Sequence, residues 1–290
     1  MLVKRKNEHV EVKRHFLMKK KPTYDIINQL LGGNVMIALL DSPGNAAPLF
    51  EGWEDTMIWS CLEETMGRVY GDAREKPGSA AAVLGDFCFF AGQPDRELAL
   101  YRPDGKPREF MILVPKNEEW AGLIRECYPE NSREIKRYAL KKEPDVFSES
   151  HLKKAAESLP QGYSLRMIDR ELYDWCKGQK WSRDLVSQYP DYEFYREHGI
   201  GVMALKDGVP VSGASSYSSY PGGIEIEIDT QKEYRRKGLA LACGARLILE
   251  CLQRKLYPSW DAHNEGSLAL AQKLGYHFSH SYTAFEIWEE

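Results

Sequence analysis

From Ile224 to Ala240 the chain reads Ile-Glu-Ile-Glu-Ile-Asp-Thr-Gln-Lys-Glu-Tyr-Arg-Arg-Lys-Gly-Leu-Ala. Period-two alternation puts Glu225, Glu227 and Asp229 on one face of a strand and the isoleucines on the other. Just beyond, Leu241, Ala245, Ile248, Leu249, Leu252 and Leu256 follow helical spacing, which predicts a helix over 238–256. The first turn of a helix has free backbone N–H groups and the positive end of the macrodipole. A pyrophosphate can sit there if side chains stay clear. Gly238 and Ala240 keep the approach clear, while Arg235, Arg236 and Lys237 add positive charge. Neither the Gly-Lys-Ser/Thr of a P-loop nor a Gly-x-Gly-x-x-Gly after a first strand is present, so those phosphate-binding loops are excluded.

The three acids can do a second kind of chemistry. An alkylammonium, with a pKa of about 10, is mostly protonated at neutral pH. A carboxylate reached directly or through water can take its proton and free the amine for attack. A solvent-facing edge strand would show the same alternation. On a strand in the middle of a sheet, however, carboxylates are costly unless used. Glu227 is the first candidate base and Glu225 the second, with Asp229 read as an anchor for the loop.

The elements that must position these residues are legible around them. Strands are expected over 163–168, 199–205, 209–217, 224–230, 257–262 and 277–288, with Lys206-Asp207-Gly208 as a hairpin turn. Two short aromatic-rich helices are expected within 170–195, and a helix over 265–274. The earlier part reads as mixed α and β: helices over 23–31, 56–69 and 117–127, and strands over 35–40, 80–90 and 110–114. The polar segment 141–150 reads as a linker, followed by a short helix ending near Pro160. The organisation expected is a basic terminus over 1–21, an α/β domain over 22–145 and a second domain over 161–290.

Two motifs then coincide. Arg235-x-x-Gly238-x-Ala240 is followed, one helix and one strand later, by Asn264-Glu-Gly-Ser267 opening a helix that closes on Lys273-Leu-Gly-Tyr276. Together they resemble the signature motifs of the GCN5-related N-acetyltransferases over about residues 161–290. The resemblance implies an α/β (α+β) mixed-sheet fold with two splayed parallel strands, here 225–230 and 257–262, and acetyl-CoA in the cleft between them. By the same resemblance, Ile228 and Thr230 face the pantetheine arm. Arg235, Arg236, Lys237, Gly238, Leu239 and Ala240 hold the pyrophosphate, and Asn264 and Ser267 border the cofactor from the other strand. The family often has a tyrosine seven residues after the motif asparagine, as an acid for the leaving thiolate. Here that residue is Ala271. Tyr276 and Tyr282 are candidate substitutes, although each also reads as a core aromatic, and His263 reads as a structural histidine. The whole chain is similar to the zwittermicin A-resistance type of acetyltransferase, in which a divergent half precedes the catalytic one. Two mixed α/β halves also suit a degenerate tandem copy. The activity implied is acetyl transfer from acetyl-CoA to a primary amine of a small molecule, such as an amino-polyol antibiotic. An acyl-CoA-binding sensor without turnover is the alternative.

Composition sets the outer bounds. With 43% hydrophobic and 28% charged residues, the chain is expected to be soluble, globular and cytoplasmic. A net charge of −4 gives no reason to expect a nucleic-acid partner, and no apolar run is long enough to span a membrane. Residues 1–21 hold eight cations against two anions, read as a solvated terminus. Six cysteines without a Cys-x-x-Cys pair read as buried reduced thiols, and the histidines lack metal-ligand spacing, so no metal is expected. A monomer or homodimer is expected.

Overall fold

The computed structural model describes residues 37–288 apart from 104 and 106–108. The basic stretch 1–21, the helix expected over 23–31 and the start of the strand expected over 35–40 lie outside those residues. What is described of that strand is β1 (Ala38–Leu39).

The first half builds a meander of β2 (Arg68–Gly71), β3 (Ser79–Leu84) and β4 (Phe87–Gly92). One strand was expected over 80–90. Gly85-Asp86 instead forms a two-residue turn, with Leu84 paired to Phe87 and Gly85 at φ 58. That left-handed first position is the glycine place of a tight hairpin. The helix expected over 56–69 is shorter: α1 (Thr56–Leu62) stops early because Arg68–Gly71 pairs as β2. A short α2 (Arg96–Leu100) then leads to β5 (Met111–Pro115), parallel to β4. Next come α3 (Glu118–Cys127), capped by Asn117, and β6 (Ser132–Leu140). The β6 strand was not expected, because its run of Arg133, Glu134, Lys136 and Arg137 lacks apolar alternation.

The polar segment after β6 leads to α4 (Glu149–Glu157). The second half then forms a five-stranded sheet of β7 (Tyr163–Met167), β8 (Gly201–Lys206), β9 (Val209–Tyr220), β10 (Gly223–Thr230) and β11 (Tyr257–Ser259), in the order 11-10-9-8-7. The helices α5 (Arg170–Lys177) and α6 (Tyr192–His198) lie between β7 and β8. The long α7 (Leu239–Gln253) is the crossover between β10 and the parallel β11.

The halves then interlock. After β11 the chain leaves the five-stranded sheet. β12 (Asp261–Ala262) pairs with β6, and after α8 (Glu265–Leu274) the last strand, β13 (Phe278–Ile287), inserts between β5 and β6. The result is an eight-stranded sheet of order 1-2-3-4-5-13-6-12. One apolar core, with Phe89, Ile58, Tyr173, Tyr195 and Met203 among its buried members, takes residues from both halves. A second core lies under α7 and α8, and a third under α2 and α3. The described residues accordingly cluster as one compact unit.

Candidate active site

The site begins where two parallel strands part. β10 and β11 pair only over Gly223–Glu225 with Tyr257–Ser259. Two residues later Asp261 has turned to pair with β6, so β10 has no strand beside it on that side from Ile226 to Thr230. This is the splay expected from the sequence. A cavity of about 1000 Å³ opens there, lined by residues 226–230 of β10, the loop that follows, the start of α7, and Asn264, Gly266 and Ser267 at the start of α8.

The loop leaves backbone donors free. Arg236 (φ 60) and Gly238 (φ 80) both take left-handed conformations, a backbone form that makes anion nests. At Gly238 a Cβ would meet no protein atom within 4 Å, so the glycine serves the backbone turn and leaves open ground ahead of it. α7 starts at Leu239 with Gly238 as its cap and no side-chain acceptor for its first N–H groups. Among the described residues, the other seven α-helices each have an Asp, Asn or Ser side chain accepting such a bond. The uncapped donors of α7 thus face the cavity while a core of Leu239, Cys243, Leu247 and Ile248 anchors the helix. Arg235 Nε donates to Thr230 O at 3.1 Å and ties the loop to the end of β10.

The three acids of β10 separate. Ile224 and Ile226 are buried against α7, as the alternation demands. Glu227 and Asp229 line the cavity. Burial, and then the like charges of Asp229 and Asp184, push the Glu227 carboxyl up to about 8, with Arg137 opposing. Burial and Asp184 push Asp229 up to about 6, with Arg235 opposing. Glu225 does not line this cavity. Its carboxylate accepts from the Asp261 N–H at 2.6 Å and from the Thr56 hydroxyl. It thus sits in the fork between the parting strands, replacing the next rung of the ladder, beside a smaller cavity of about 170 Å³. Burial raises its pKa as well. The structure therefore places Glu225 in the fork and Glu227 at the large cavity.

Ile228, Thr230, Arg235, Arg236, Gly238, Leu239, Ala240, Asn264 and Ser267 all line the large cavity. Lys237 does not; its ammonium lies 4.7 Å from the centre of the Tyr234 ring. Asn264 caps α8, its Oδ1 accepting from Ser267 N at 3.0 Å, so its amide nitrogen is the group left to donate. Ala271 is buried in the core. The Tyr276 hydroxyl donates to Pro258 O within the core, and Tyr282 borders the smaller cavity.

Sequence reasoning missed the opposite wall. The first half supplies Asp86, Phe87, Ile112 and Arg137, and the second adds Asp184, Tyr217 and Asp261, with His263, which the sequence reads as structural, among them. Tyr217 is an extra residue on β9: Glu225 faces Ser218 while Ile226 faces Ser216. This bulge re-aims the strand beside the fork. The Tyr217 hydroxyl accepts from Asp86 N at 3.1 Å, and its ring meets Phe87 edge-on. Arg137 is 5% exposed. Its Nε donates to Asp261 Oδ1 at 2.8 Å, its Nη1 lies 3.2 Å from His263 Nδ1, and its guanidinium stands 4.9 Å from the Phe87 ring centre. Burial and then Arg137 hold His263 below its ordinary pKa. The acidic partners were visible only as scattered single residues, with no spacing to join them.

A mixed sheet with a parted parallel pair, an uncapped helix after the first strand and a buried carboxylate at the fork define an acetyltransferase of the GNAT type. The family described as GNAT acetyltransferase matches residues 47–285, and the chain belongs to that family. It is 48% identical to a GCN5-related N-acetyltransferase-like protein from Streptococcus suis 89/1591 of known structure, with a TM-score of 0.80 over 86% of this chain and 99% of that one. It is also 26% identical over 240 residues to the uncharacterized N-acetyltransferase YdfB of Bacillus subtilis (strain 168), covering 79% of this chain and 89% of that protein. A tandem GNAT protein from the clavulanic acid biosynthesis pathway shares the fold at 11% identity and a TM-score of 0.50, over 87% of this chain and 98% of that one. Among the described residues no helix is long and apolar enough to cross a membrane, and no cluster of His, Cys, Asp and Glu has the form of a metal site.

Proposed function

We propose that the protein transfers an acetyl group from acetyl-CoA to the primary amine of a small molecule, by direct attack within a ternary complex. The observation that carries this reading is the unpaired edge of β10 running straight into the uncapped start of α7, with Glu227 near the fork where that edge begins. The edge offers backbone donors and acceptors to the pantetheine amides near Ile228 and Thr230. Arg235, Arg236 and the N–H groups from Gly238 to Ala240 offer the pyrophosphate a positive, uncrowded cradle. Asn264 and Ser267 border it from α8. When bound, acetyl-CoA supplies the activated acyl group.

The chain's own residues deal with the proton. The amine must lose one to attack, and Glu227, with its carboxyl at about 8, is matched to accept it near neutral pH. Asp184 and Asp229 keep this end of the cavity acidic, which favours a cationic amine. The Ala271 position, which lacks the usual tyrosine, supports the second reading of an acyl-CoA binder without turnover.

One experiment separates the two: thiol release from acetyl-CoA across an amine panel, alongside calorimetry of CoA binding to wild type and Gly238→Glu. The panel includes an amino-polyol, the acceptor class implied by the resemblance to zwittermicin A-resistance acetyltransferases. Amine-dependent thiol release is expected in wild type. Gly238→Glu should lose CoA binding, because it puts a side chain and a negative charge where the pyrophosphate must lie, at a backbone position strained for any residue but glycine. Binding without release under any amine favours the sensor. Unchanged CoA affinity in Gly238→Glu refutes the placement.

A further inference from the structure

Acetyl transfer to an amine forms a C–N bond and breaks the thioester C–S bond. The bonding pair goes to sulfur, and the ammonium gives up two protons, the first to Glu227 before attack and the second to solvent as the tetrahedral adduct collapses. The sulfur therefore leaves as a thiolate, and the position from which a tyrosine would protonate it holds the buried Ala271. We propose that Arg137, delivered to the cavity by β6 of the first half, is the cation that stabilises this thiolate. The proposal rests on reading the cavity as the acetyl-CoA site.

Four observations converge on Arg137. First, its place is the fork itself. Its partner Asp261 is the residue whose backbone N–H bonds Glu225 where β10 and β11 part. Second, it is held rigidly by the Asp261 carboxylate, the His263 ring nitrogen and the face of Phe87. A planar fork fixed from three directions loses little entropy on meeting a ligand. Third, even with Tyr282 as a further partner, those bonds use only part of its five N–H donors, and the side chain lines the cavity. Fourth, the other Lys and Arg residues lining the cavity are Arg235, Arg236 and Lys273, which belong to the phosphate loop and to α8. Beside the fork the large cavity is lined by the acids Glu227, Asp229, Asp184 and Asp261. Lys142, the other cation acting on Glu225 and Asp261, lines the smaller cavity instead, so a thiolate forming among these acids has Arg137 as its cation on the cavity side. A buried ion pair alone gains little over apolar packing, so a stabilising role does not by itself account for this pair.

The test reads the thiol directly. CoA is bound to wild type, Arg137→Lys, Arg137→Gln and the double variant Arg137→Gln/Asp261→Asn. The ultraviolet absorbance of the thiolate is then followed against pH, with the desulfo-CoA complex as the blank. Burial pushes Cys61, Cys243 and Cys251 up to about 12 and Cys176 up to about 11, and the blank removes the contribution of the half-buried Cys88 and Cys127. The bound thiol is expected to titrate at least about one unit higher in Arg137→Gln than in wild type, a tenfold loss of thiolate, with Arg137→Lys between. The double variant leaves no unpaired acid behind, so the same shift there shows that misfolding is not the cause. An identical thiol titration in wild type and both glutamine-bearing variants overturns the proposal alone. Loss of CoA binding by a folded double variant also overturns it, because the cation then serves binding rather than departure. A wild-type protein that binds no CoA overturns the reading of the cavity, and this proposal with it.

Discussion

Replacing Glu227 by Gln separates what this side chain costs the fold from what it does in the cavity. Its carboxyl titrates at about 8 in the folded protein against an ordinary 4.5. The folded state therefore holds this proton more tightly than the unfolded chain does. Between about pH 4.5 and pH 8 the unfolded chain has already released the proton, so stability falls as pH rises, by about 1.4 kcal/mol per pH unit. Above about pH 8 both states are ionised and the penalty stays constant. At pH 7 the penalty amounts to roughly 3 kcal/mol at most. Glutamine keeps the shape and has no proton to lose, so the variant should melt several degrees higher at pH 7. The advantage should shrink towards about pH 5 as the titration is left behind. Turnover should move the other way, with kcat/KM falling by about 10²-fold and recovering in part at high pH, where free amine is present unaided. The assays are thermal melts of both proteins across this range and thiol-release kinetics with a responsive amine. A melting difference that does not change with pH would refute the displaced titration. Full activity in the variant would remove Glu227 as the base.

The first half should bind no second cofactor. β4 and β5 pair in parallel from Phe87 to Phe90 without parting, and the short α2 that follows β4 is capped by Asp95, which accepts from Leu98 N at 3.1 Å. A carboxylate stands where a pyrophosphate would need free donors. Calorimetry should therefore give one CoA per chain, and a stoichiometry of two would refute this contrast. Residues 149–288 expressed alone should fail to fold cooperatively, because β12 and β13 would lose β5 and β6 as partners and leave Phe285 and Ile287 uncovered. A sharp thermal transition from that fragment would show that the strand exchange is dispensable.

The stretch from Ile224 to Ala240 was legible because everything that shapes it is local. Alternation, the run of three cations, a glycine and a helical apolar stripe lie within one continuous segment, and the structure keeps their order. The same holds for Asn264, which caps α8 as its type and place suggest. What escaped was long-range. β6 is an interior strand, next to the edge, whose charged residues hide it, since its partners on either side come from more than a hundred residues away. A strand read alone cannot show that Arg137 will be buried against Asp261 and Phe87.

The three acids show where local reading stops. Alternation puts Glu225, Glu227 and Asp229 on one face, and that holds. It cannot say which of them meets the cavity, because the answer depends on where β10 and β11 part. Glu225 bridges that point. Its carboxylate takes the Asp261 N–H, a bond across 36 residues, and the Thr56 hydroxyl from α1 of the first half. An acid at 225 can bridge the gap once the strands are a side chain's length apart. Two residues on, the gap is too wide to bridge, and the same chemical group at 227 is left to face a ligand. The site thus follows from one strand's alternation combined with the divergence of its neighbour. The second of these is decided by the first half, through the β6 strand that draws Asp261 away.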